Sequence, residues 1–352
     1  MKNNKKNILT GLQQKDLKKS YRNSLKKSWL TKNIIPINKN RWSFIEEVIK
    51  FFLKIILKIA TPKIGWKNKI KTKELINRTY DKFISKDLVF IPLSLSFYFL
   101  ISFVPIITII MTLLSLIDGY NQIFIQLIMS KIIPGIQSIL DLQITSKSHE
   151  GLQYISIIFL LLASLWLSSN GFAKFVYSQN YIYKHEFLGN WFTNRLKGLF
   201  IVMGISIYLF LGIALYILIY SSFVKVFTNN NSQIIFFYSS FSVYLLIFLY
   251  LGTLLLFKLT PSFKVPFTSI FPGVLVAVLP IWIFIMSFGY LTSLINYSKY
   301  GLIGTFMYVA LFVSTLSYCL MLGIIVNEAY YKTYYSSYTI AKKNWIFWKI
   351  KF

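Results

Sequence analysis

The chain has 352 residues, of which 55% are hydrophobic and 14% are charged, whereas soluble domains are roughly one quarter charged. This composition excludes an ordinary soluble globular protein and indicates a membrane protein. The formal net charge of +27 is compatible with binding to nucleic acid or to anionic lipid, so the distribution of the basic residues must decide between them.

The N-terminal part of the chain is basic and contains no run long enough to span a membrane. Residues 1–42 are rich in Lys and Asn and offer few large apolar groups to bury, so we expect a disordered basic cytoplasmic tail. Residues 43–87 are predicted to form cytoplasmic or interfacial amphipathic helices, one of them around 74–86. Ser43 and Glu46 have the spacing of a capping box, which places a helix start at Ser43.

A narrow polar stripe runs along the first of these helices, because its charged residues recur every four positions on an otherwise apolar segment: Glu46, Lys50, Lys54 and Lys58. Such a helix can lie in the cytoplasmic leaflet, where the three lysines face anionic lipid. It can also pack beneath the helical bundle. The sequence leaves both interpretations open.

Six uncharged runs follow, and each exceeds the roughly 18 residues that make a membrane-spanning helix plausible. They lack the alternating pattern of a membrane barrel, so we predict an all-α integral membrane protein with six transmembrane helices in a domain over residues 88–331. The runs cover residues 88–117, 151–173, 198–224, 226–257, 265–298 and 300–327.

The basic residues are distributed unequally between the two sides of this six-span topology. Of the 38 Lys and Arg residues, 23 precede residue 88, and a cytoplasmic N-terminus leaves only Lys131, Lys147, Lys225 and Lys299 outside. The positive-inside rule therefore places both termini in the cytoplasm, including a second basic tail over residues 332–352. The asymmetry favours anionic lipid of the inner leaflet as a partner, and no nucleic acid is expected.

The loop between the first two spans, residues 118–150, is too long for a tight turn. Its apolar positions predict a short extracytoplasmic amphipathic helix that is broken near Pro134 and Gly135. A seventh span is not expected there, because charged residues divide the loop into pieces shorter than a bilayer crossing.

The chain shows no pattern typical of a catalytic or metal site. Its only histidines, His149 and His185, fall on opposite faces of the membrane in this topology, and its single cysteine, Cys319, lies inside the last span. A metal hydrolase needs several ligands that converge on one ion. We therefore expect no enzyme activity, no catalytic residue, no metal and no cofactor.

Four stretches resemble the YihY/BrkB family of bacterial inner-membrane proteins, over residues of about 75 to 332. They read DLVFIPLSLSFYFLISFVP, SQNYIYKHE, FPGVLVAVLPIW and YSKYGLIGTFMYVALFVSTLSYCLMLGIIVNEA. The resemblance implies a bacterial plasma (inner) membrane location and a transport role, although some members were formerly labelled as ribonuclease BN. The candidate functional or packing residues are Ser102, Pro105, Asn170, Asn180, Pro272, Gly273, Tyr300, Gly301, Gly304, Gly323, Asn327 and Glu328.

The chain departs from the family pattern near the end of the last span. The glutamate that is common in that segment falls on Ile325, and Glu328 lies three residues later. Lys332 follows Glu328 at the favourable i,i+4 spacing, so we expect an exposed interfacial ion pair. The alternative is a site that couples transport to an ion, as for an ionisable group within the membrane.

These observations favour a multi-pass membrane protein that acts as a transporter or handles lipid or other envelope components. Its pathway would lie between proline-kinked helices that carry Ser and Asn. The alternative is a scaffold without transport activity that recruits partners or anionic lipid through its basic N-terminus. A polar cavity between spans one, two, five and six would favour transport, whereas a bundle filled by side chains would favour the scaffold.

Overall fold

The computed structural model describes residues 39–61, 66, 68–114, 117, 150–186, 188–224, 226, 229–293 and 301–342. These residues contain eight α-helices: α1 Lys39–Ala60, α2 Lys69–Ile84, α3 Lys86–Leu114, α4 Glu150–Ile182, α5 Trp191–Val224, α6 Asn230–Leu259, α7 Phe267–Ser293 and α8 Gly301–Tyr334. The all-α prediction is confirmed for the described part of the chain. Residues 1–38 of the predicted tail 1–42, and the predicted extracytoplasmic helix within 118–149, lie outside the described residues. Residues 39–42, which were predicted to be disordered, belong to α1.

Helix α1 runs across the boundary between two compact units, Met1–Phe52 and Leu53–Phe352. It begins at Lys39, so the helix start predicted at Ser43 is wrong. Ser43 lies within the helix, because the residues before it continue the helical turns. In the second unit, Leu57 at the end of α1 is buried with Leu75 of α2 and Val326 of α8.

Helix α2 begins earlier than the sequence predicted, at Lys69 instead of near residue 74. The side chain of Asn68 caps it by accepting hydrogen bonds from the backbone N–H groups of Ile70 and Lys71 at 3.0 and 3.2 Å. An N-cap side chain of this kind satisfies donors that have no partner within the helix. The first turns of α2 carry mostly polar residues, so apolar periodicity alone does not reveal them.

Five of the described helices are long and apolar enough to cross a membrane: α3, α5, α6, α7 and α8. The predicted second span coincides with α4, a helix of 33 residues. Several side chains in the first half of α4 lie outside the described part, and α4 is not among the five. Helix α5 has 34 residues and is about 51 Å long at 1.5 Å per residue, which exceeds the roughly 30 Å of a hydrocarbon core.

Helices α3 to α8 pack in chain order and form a closed ring, since α4 contacts α3 and α5, α7 contacts α6 and α8, and α8 returns to α3. Large apolar side chains fill most of the space between these helices. Others, such as Ile207, Leu211 and Leu215 of α5, point outward and are exposed. This apolar outer surface is what a lipid environment requires. The ring brings residues from all six helices around one interior.

Candidate functional site

Two serines join α3 to α4 across a close helix contact. The hydroxyl of Ser102 donates to the carbonyl of Ser168 at 3.2 Å, and the hydroxyl of Ser168 lies 3.4 Å from the carbonyl of Ser102. A Cβ atom on Gly171 would stand 2.4 Å from the Ser102 hydroxyl. Pro105 is buried and Asn170 is half-buried nearby in the chain. These contacts indicate that Ser102 holds α3 and α4 together, which is a packing role.

Three of the predicted residues meet where α7 crosses α8. A Cβ atom on Gly273 would stand 2.0 Å from the carbonyl oxygen of Gly323, and one on Gly323 would stand 2.5 Å from the carbonyl oxygen of Gly273. The Oδ1 atom of Asn327 accepts a hydrogen bond from the backbone N–H of Gly273 at 2.7 Å. Pro272 is also buried, next to this contact. The absence of side chains at both glycines permits the two backbones to touch.

The predicted pair of Glu328 and Lys332 forms, with Nζ of Lys332 3.2 Å from Oε1 of Glu328. The expectation that this pair is exposed is wrong, since the Glu328 and Lys332 side chains are only 1% and 9% exposed. Neighbouring helices cover this end of α8, including α2. The second oxygen of Glu328, Oε2, is buried and has no hydrogen-bond partner among the described residues.

The negative charge of Glu328 reaches Tyr183, which follows the last residue of α4. Burial raises the pKa of the Tyr183 phenol well above its ordinary value, and Glu328 raises it further. The Tyr183 ring packs against Phe263 with a centroid distance of 4.7 Å and lies 6.0 Å from the ring of Tyr331. The phenol therefore stays protonated and neutral beside the buried ion pair.

Asn180 fixes the connection between α6 and α7. Its Nδ2 donates to the hydroxyl of Ser262 at 2.9 Å, and its Oδ1 accepts from the backbone N–H of Ser262 at 3.1 Å. Lys197 of α5 donates to the same hydroxyl at 2.9 Å. Since Asn180 is fully buried, the side chain makes a specific contact between α4 and the connection of α6 to α7.

A cavity of about 380 Å³ lies inside the helical ring, within the range of roughly 300 to 1,000 Å³ that is typical of small-molecule sites. Its wall contains residues from all six helices, including Phe99, Phe172, Leu209, Leu249 and Ile281, with Phe312 completing it from α8. Most of these side chains are aliphatic or aromatic, and no charged residue is among the residues that line it in the described part. The sequence analysis did not predict this cavity.

The tyrosines of the cavity wall use their hydroxyls to hold α5 against α6. Tyr208 donates to the carbonyl of Phe248 at 2.6 Å, and Tyr244 donates to the carbonyl of Gly212 at 2.7 Å. The hydroxyl of Tyr216 lies 3.3 Å from that of Ser240. These polar atoms are therefore already hydrogen-bonded within the protein, and the cavity presents mainly hydrocarbon.

The family model described as Virulence factor BrkB matches residues 79–345, which include all six helices of the ring, α3 to α8, and the C-terminal end of α2. The chain belongs to the BrkB virulence-factor family. No curated protein matches it significantly, and no solved structure does. The matched segment contains the α3–α4 junction, the α7–α8 crossing and the cavity of this BrkB-family chain.

The remaining candidates of the BrkB resemblance lie at the start of α8. Helix α8 begins at Gly301, and Gly304 is half-buried one turn later. Tyr300 lies outside the described residues. Ile325, which occupies the position of the common BrkB glutamate, is buried in the helical core. The structure therefore brings Gly273, Gly323 and Asn327 together, but it shows no common site with Gly301 and Gly304.

The lysine stripe of α1 is present in part as predicted. In the first unit, Lys50 pairs with Glu46 at 2.7 Å. In the second unit, Lys54 and Lys58 are exposed, as are large apolar residues of the same helix: Ile55, Ile56 and Ile59. An exposed helix surface with both apolar and basic residues is compatible with the interfacial interpretation.

Sequence reasoning missed both the cavity and the contact of Lys197 with Ser262. Gly212 and Gly252 were the available signal for the cavity wall, because each allows a ring of the facing helix to approach closely. A Cβ atom on Gly212 would stand 2.1 Å from the ring of Phe248, and one on Gly252 would stand 2.8 Å from the ring of Tyr208. Among the described residues, no group of three or more His, Cys, Asp and Glu side chains could hold a metal ion.

Proposed function

We propose that this BrkB-family protein handles lipid in the bacterial inner membrane, and that the cavity inside its helical ring binds a hydrocarbon chain. The observation that carries this proposal is the chemistry of the cavity wall. Aliphatic and aromatic side chains dominate it, and the hydroxyls of Tyr208 and Tyr244 are engaged with backbone carbonyls. A charged or strongly polar solute would lose its hydration there without gaining compensating hydrogen bonds.

The proposed topology has six spans, with α4 as the second span and both termini in the cytoplasm. The uncharged run 151–173 supports a span at α4, and the excess of basic residues before residue 88 supports the orientation. In this arrangement the lipid-handling site lies between the two leaflets. The protein needs no catalytic group or cofactor for this role, and we propose that it is not an enzyme.

The proposal is tested by the lipid that remains bound to the purified protein. In native mass spectrometry from a mild detergent, the wild-type protein is expected to carry phospholipid adducts. Leu209→Trp replaces an aliphatic side chain of the cavity wall by a larger indole ring, which should fill part of the cavity and remove most of these adducts. Leu209 lines the cavity, so this substitution changes the interior of the ring.

Leu211→Trp is the matched control, because Leu211 lies on the same helix but is 58% exposed on the outer surface. This variant should retain the adducts of the wild type. Equal retention by Leu209→Trp and Leu211→Trp, with the two variants equally folded, would mean that the lipid binds outside the cavity. This result would contradict the proposal that the cavity is the lipid-binding site.

A second candidate is a scaffold that binds anionic lipid through its basic N-terminal part. The exposed apolar residues Ile55 and Ile59, together with exposed Lys54 and Lys58, favour it. Deletion of residues 1–60 separates the two functions. A scaffold should lose vesicle binding or cellular complementation on deletion and should tolerate Leu209→Trp. A lipid-handling protein should tolerate the deletion and lose its function in Leu209→Trp.

A further inference from the structure

We propose that Lys197, Lys258 and Lys342 form a binding site for a phosphate group at the end of the bundle that carries the C-terminal segment. The three residues come from three different parts of the fold. Lys197 belongs to the second turn of α5, Lys258 to the last turn of α6, and Lys342 to the segment that follows α8. They converge around the connection between α6 and α7.

Backbone pairing holds this connection in place. Phe263 and Ala341 form an antiparallel bridge, in which the N–H of Lys264 donates to the carbonyl of Ile340 at 2.8 Å and the N–H of Lys342 donates to the carbonyl of Ser262 at 3.1 Å. Asn180 also binds Ser262 through two hydrogen bonds. The lysines are therefore attached to a fixed framework.

Each of the three ammonium groups donates to a neutral oxygen atom of this framework. Lys197 reaches the hydroxyl of Ser262 at 2.9 Å, and Lys258 reaches the carbonyl of Val265. Lys342 reaches the carbonyls of Lys258 and Leu259 at 3.1 and 3.2 Å. These contacts hold the three positive charges near one another.

The proximity of the three charges has an electrostatic consequence. Burial, together with the positive charges of Lys258 and Lys197, lowers the pKa of Lys342 to about 8. Glu186, an exposed residue, acts on His185 with its negative charge, and Lys197 acts on the same imidazole with its positive charge. An anion bound between the lysines would reduce their mutual repulsion, and each half-buried lysine retains some exposed surface to meet it.

A phosphate group fits this cluster because an ammonium group binds phosphate oxygens as a compact positive charge with several donors. The phosphate can belong to an anionic phospholipid headgroup or to free inorganic phosphate. The lipid form rests on the proposed lipid-handling function, whereas the free phosphate form does not. The site lies at the end of the bundle where an inner-leaflet headgroup would lie in the proposed topology.

The test uses the full-length protein in neutral detergent and measures the rise in the midpoint of thermal unfolding as each probe is added. The probes are inorganic phosphate, phosphatidylglycerol and phosphatidylcholine. Saturable stabilisation by phosphatidylglycerol, with little by phosphatidylcholine, identifies the lipid form. Saturable stabilisation by inorganic phosphate without a further effect of phosphatidylglycerol identifies the free form.

Lys342→Gln should weaken binding of the stabilising probe by about tenfold, because one charge-assisted contact is lost. Lys342 also caps the C-terminal end of α6 by donating to the carbonyls of Lys258 and Leu259, so Lys342→Gln can destabilise the connection. Lys197→Gln therefore provides a second variant. Lys264→Gln is the matched control, since Lys264 is exposed on the same connection and carries the same charge. It should bind as the wild type does.

Equal weakening in Lys264→Gln and Lys342→Gln would show that only net charge matters, and it would overturn the site. Unchanged binding in folded Lys342→Gln and Lys197→Gln would overturn it as well, as would the absence of saturable stabilisation by any probe. Leu209→Trp separates this proposal from the cavity. Suppose that Leu209→Trp binds lipid chains as well as the wild type does, whereas Lys342→Gln loses phosphate binding. This result would refute the proposal that the cavity binds lipid and would leave the phosphate site intact.

Discussion

The side chain of Asn327 accepts a hydrogen bond from the backbone N–H of Gly273 at 2.7 Å, where α7 and α8 cross. One turn before Asn327, Gly323 brings its backbone against that of Gly273. The two contacts together fix the register of the crossing. The adjacent residue, Glu328, is buried with Lys332, so a hydrogen bond, a glycine contact and an ion pair occupy successive turns of one helix.

The glycine contact predicts a sharp difference between two Gly→Ala substitutions. Gly323→Ala should destabilise the bundle by about 1 to 3 kcal/mol, because its methyl group must displace the α7 backbone. Gly204→Ala on α5 is the control, since a Cβ atom there meets nothing within 4 Å. It should be neutral or stabilising by up to about 1 kcal/mol. Thermal unfolding in detergent measures both, and equal effects would contradict the contact.

The Asn327 hydrogen bond predicts a smaller effect. Asn327→Leu should cost about 0.6 to 1.7 kcal/mol, which are the average and the maximum found for hydrogen bonds between membrane helices. The protein should therefore still insert at normal abundance. Membrane abundance by immunoblot and thermal unfolding of the purified variant are the two measurements. Complete loss of the protein from the membrane would show that Asn327 contributes far more than one such bond.

The burial of Glu328 predicts a strong coupling with Lys332. Glu328→Gln alone should destabilise by about 3 to 5 kcal/mol, since it leaves the charge of Lys332 buried without its partner. The double variant Glu328→Gln with Lys332→Met should recover much of this loss. A double-mutant cycle on thermal unfolding measures the coupling. A coupling near zero would support an exposed pair instead of the buried one.

His185 predicts a pH dependence of stability. Burial lowers its pKa below 6.5 in the folded state, with Glu186 opposing and Lys197 reinforcing the shift. The unfolded chain therefore binds more protons in the window below pH 6.5, so stability should fall as the pH decreases through that window. His185→Gln should flatten the profile of unfolding midpoint against pH. An unchanged profile in a folded His185→Gln variant would contradict this prediction.

The proposed topology predicts opposite labelling at the two ends of α6. With Cys319 replaced by Ala, a single cysteine introduced by Asn229→Cys should react with an impermeant thiol reagent in intact cells. One introduced by Lys264→Cys should react only after the inner membrane is opened. Both positions are exposed in the protein. The reverse pattern would place the termini outside.

Much of the fold could be predicted from the sequence, because long uncharged runs have few alternatives to a helix in a membrane. The helix ends were less predictable. Helix α5 begins at Trp191, well before the predicted span, since Arg195 and Lys197 are compatible with a helix that continues beyond the hydrocarbon core. The start of α1 was misplaced for a similar reason, because Ser43 and Glu46 can fit a capping box and also the interior of a helix.

The candidate site was only partly predictable. The family resemblance selected Gly273, Gly323 and Asn327, which do meet, but sequence spacing could not show that Glu328 would be covered by neighbouring helices. The cavity was missed because it depends on which helix faces meet across the ring. That information is tertiary, and a residue such as Leu209 has no local pattern that distinguishes it from Leu211.

Photochemical labelling can show whether a hydrocarbon chain occupies the cavity, as we propose. The protein is reconstituted with a phospholipid that carries a diazirine in its acyl chain, irradiated, digested and analysed by mass spectrometry. We expect attachment to cavity-lining positions such as Ile205 and Leu249, and loss of this attachment in Leu209→Trp. Attachment confined to outward-facing positions such as Leu211 and Ile247, and unaffected by Leu209→Trp, would contradict it.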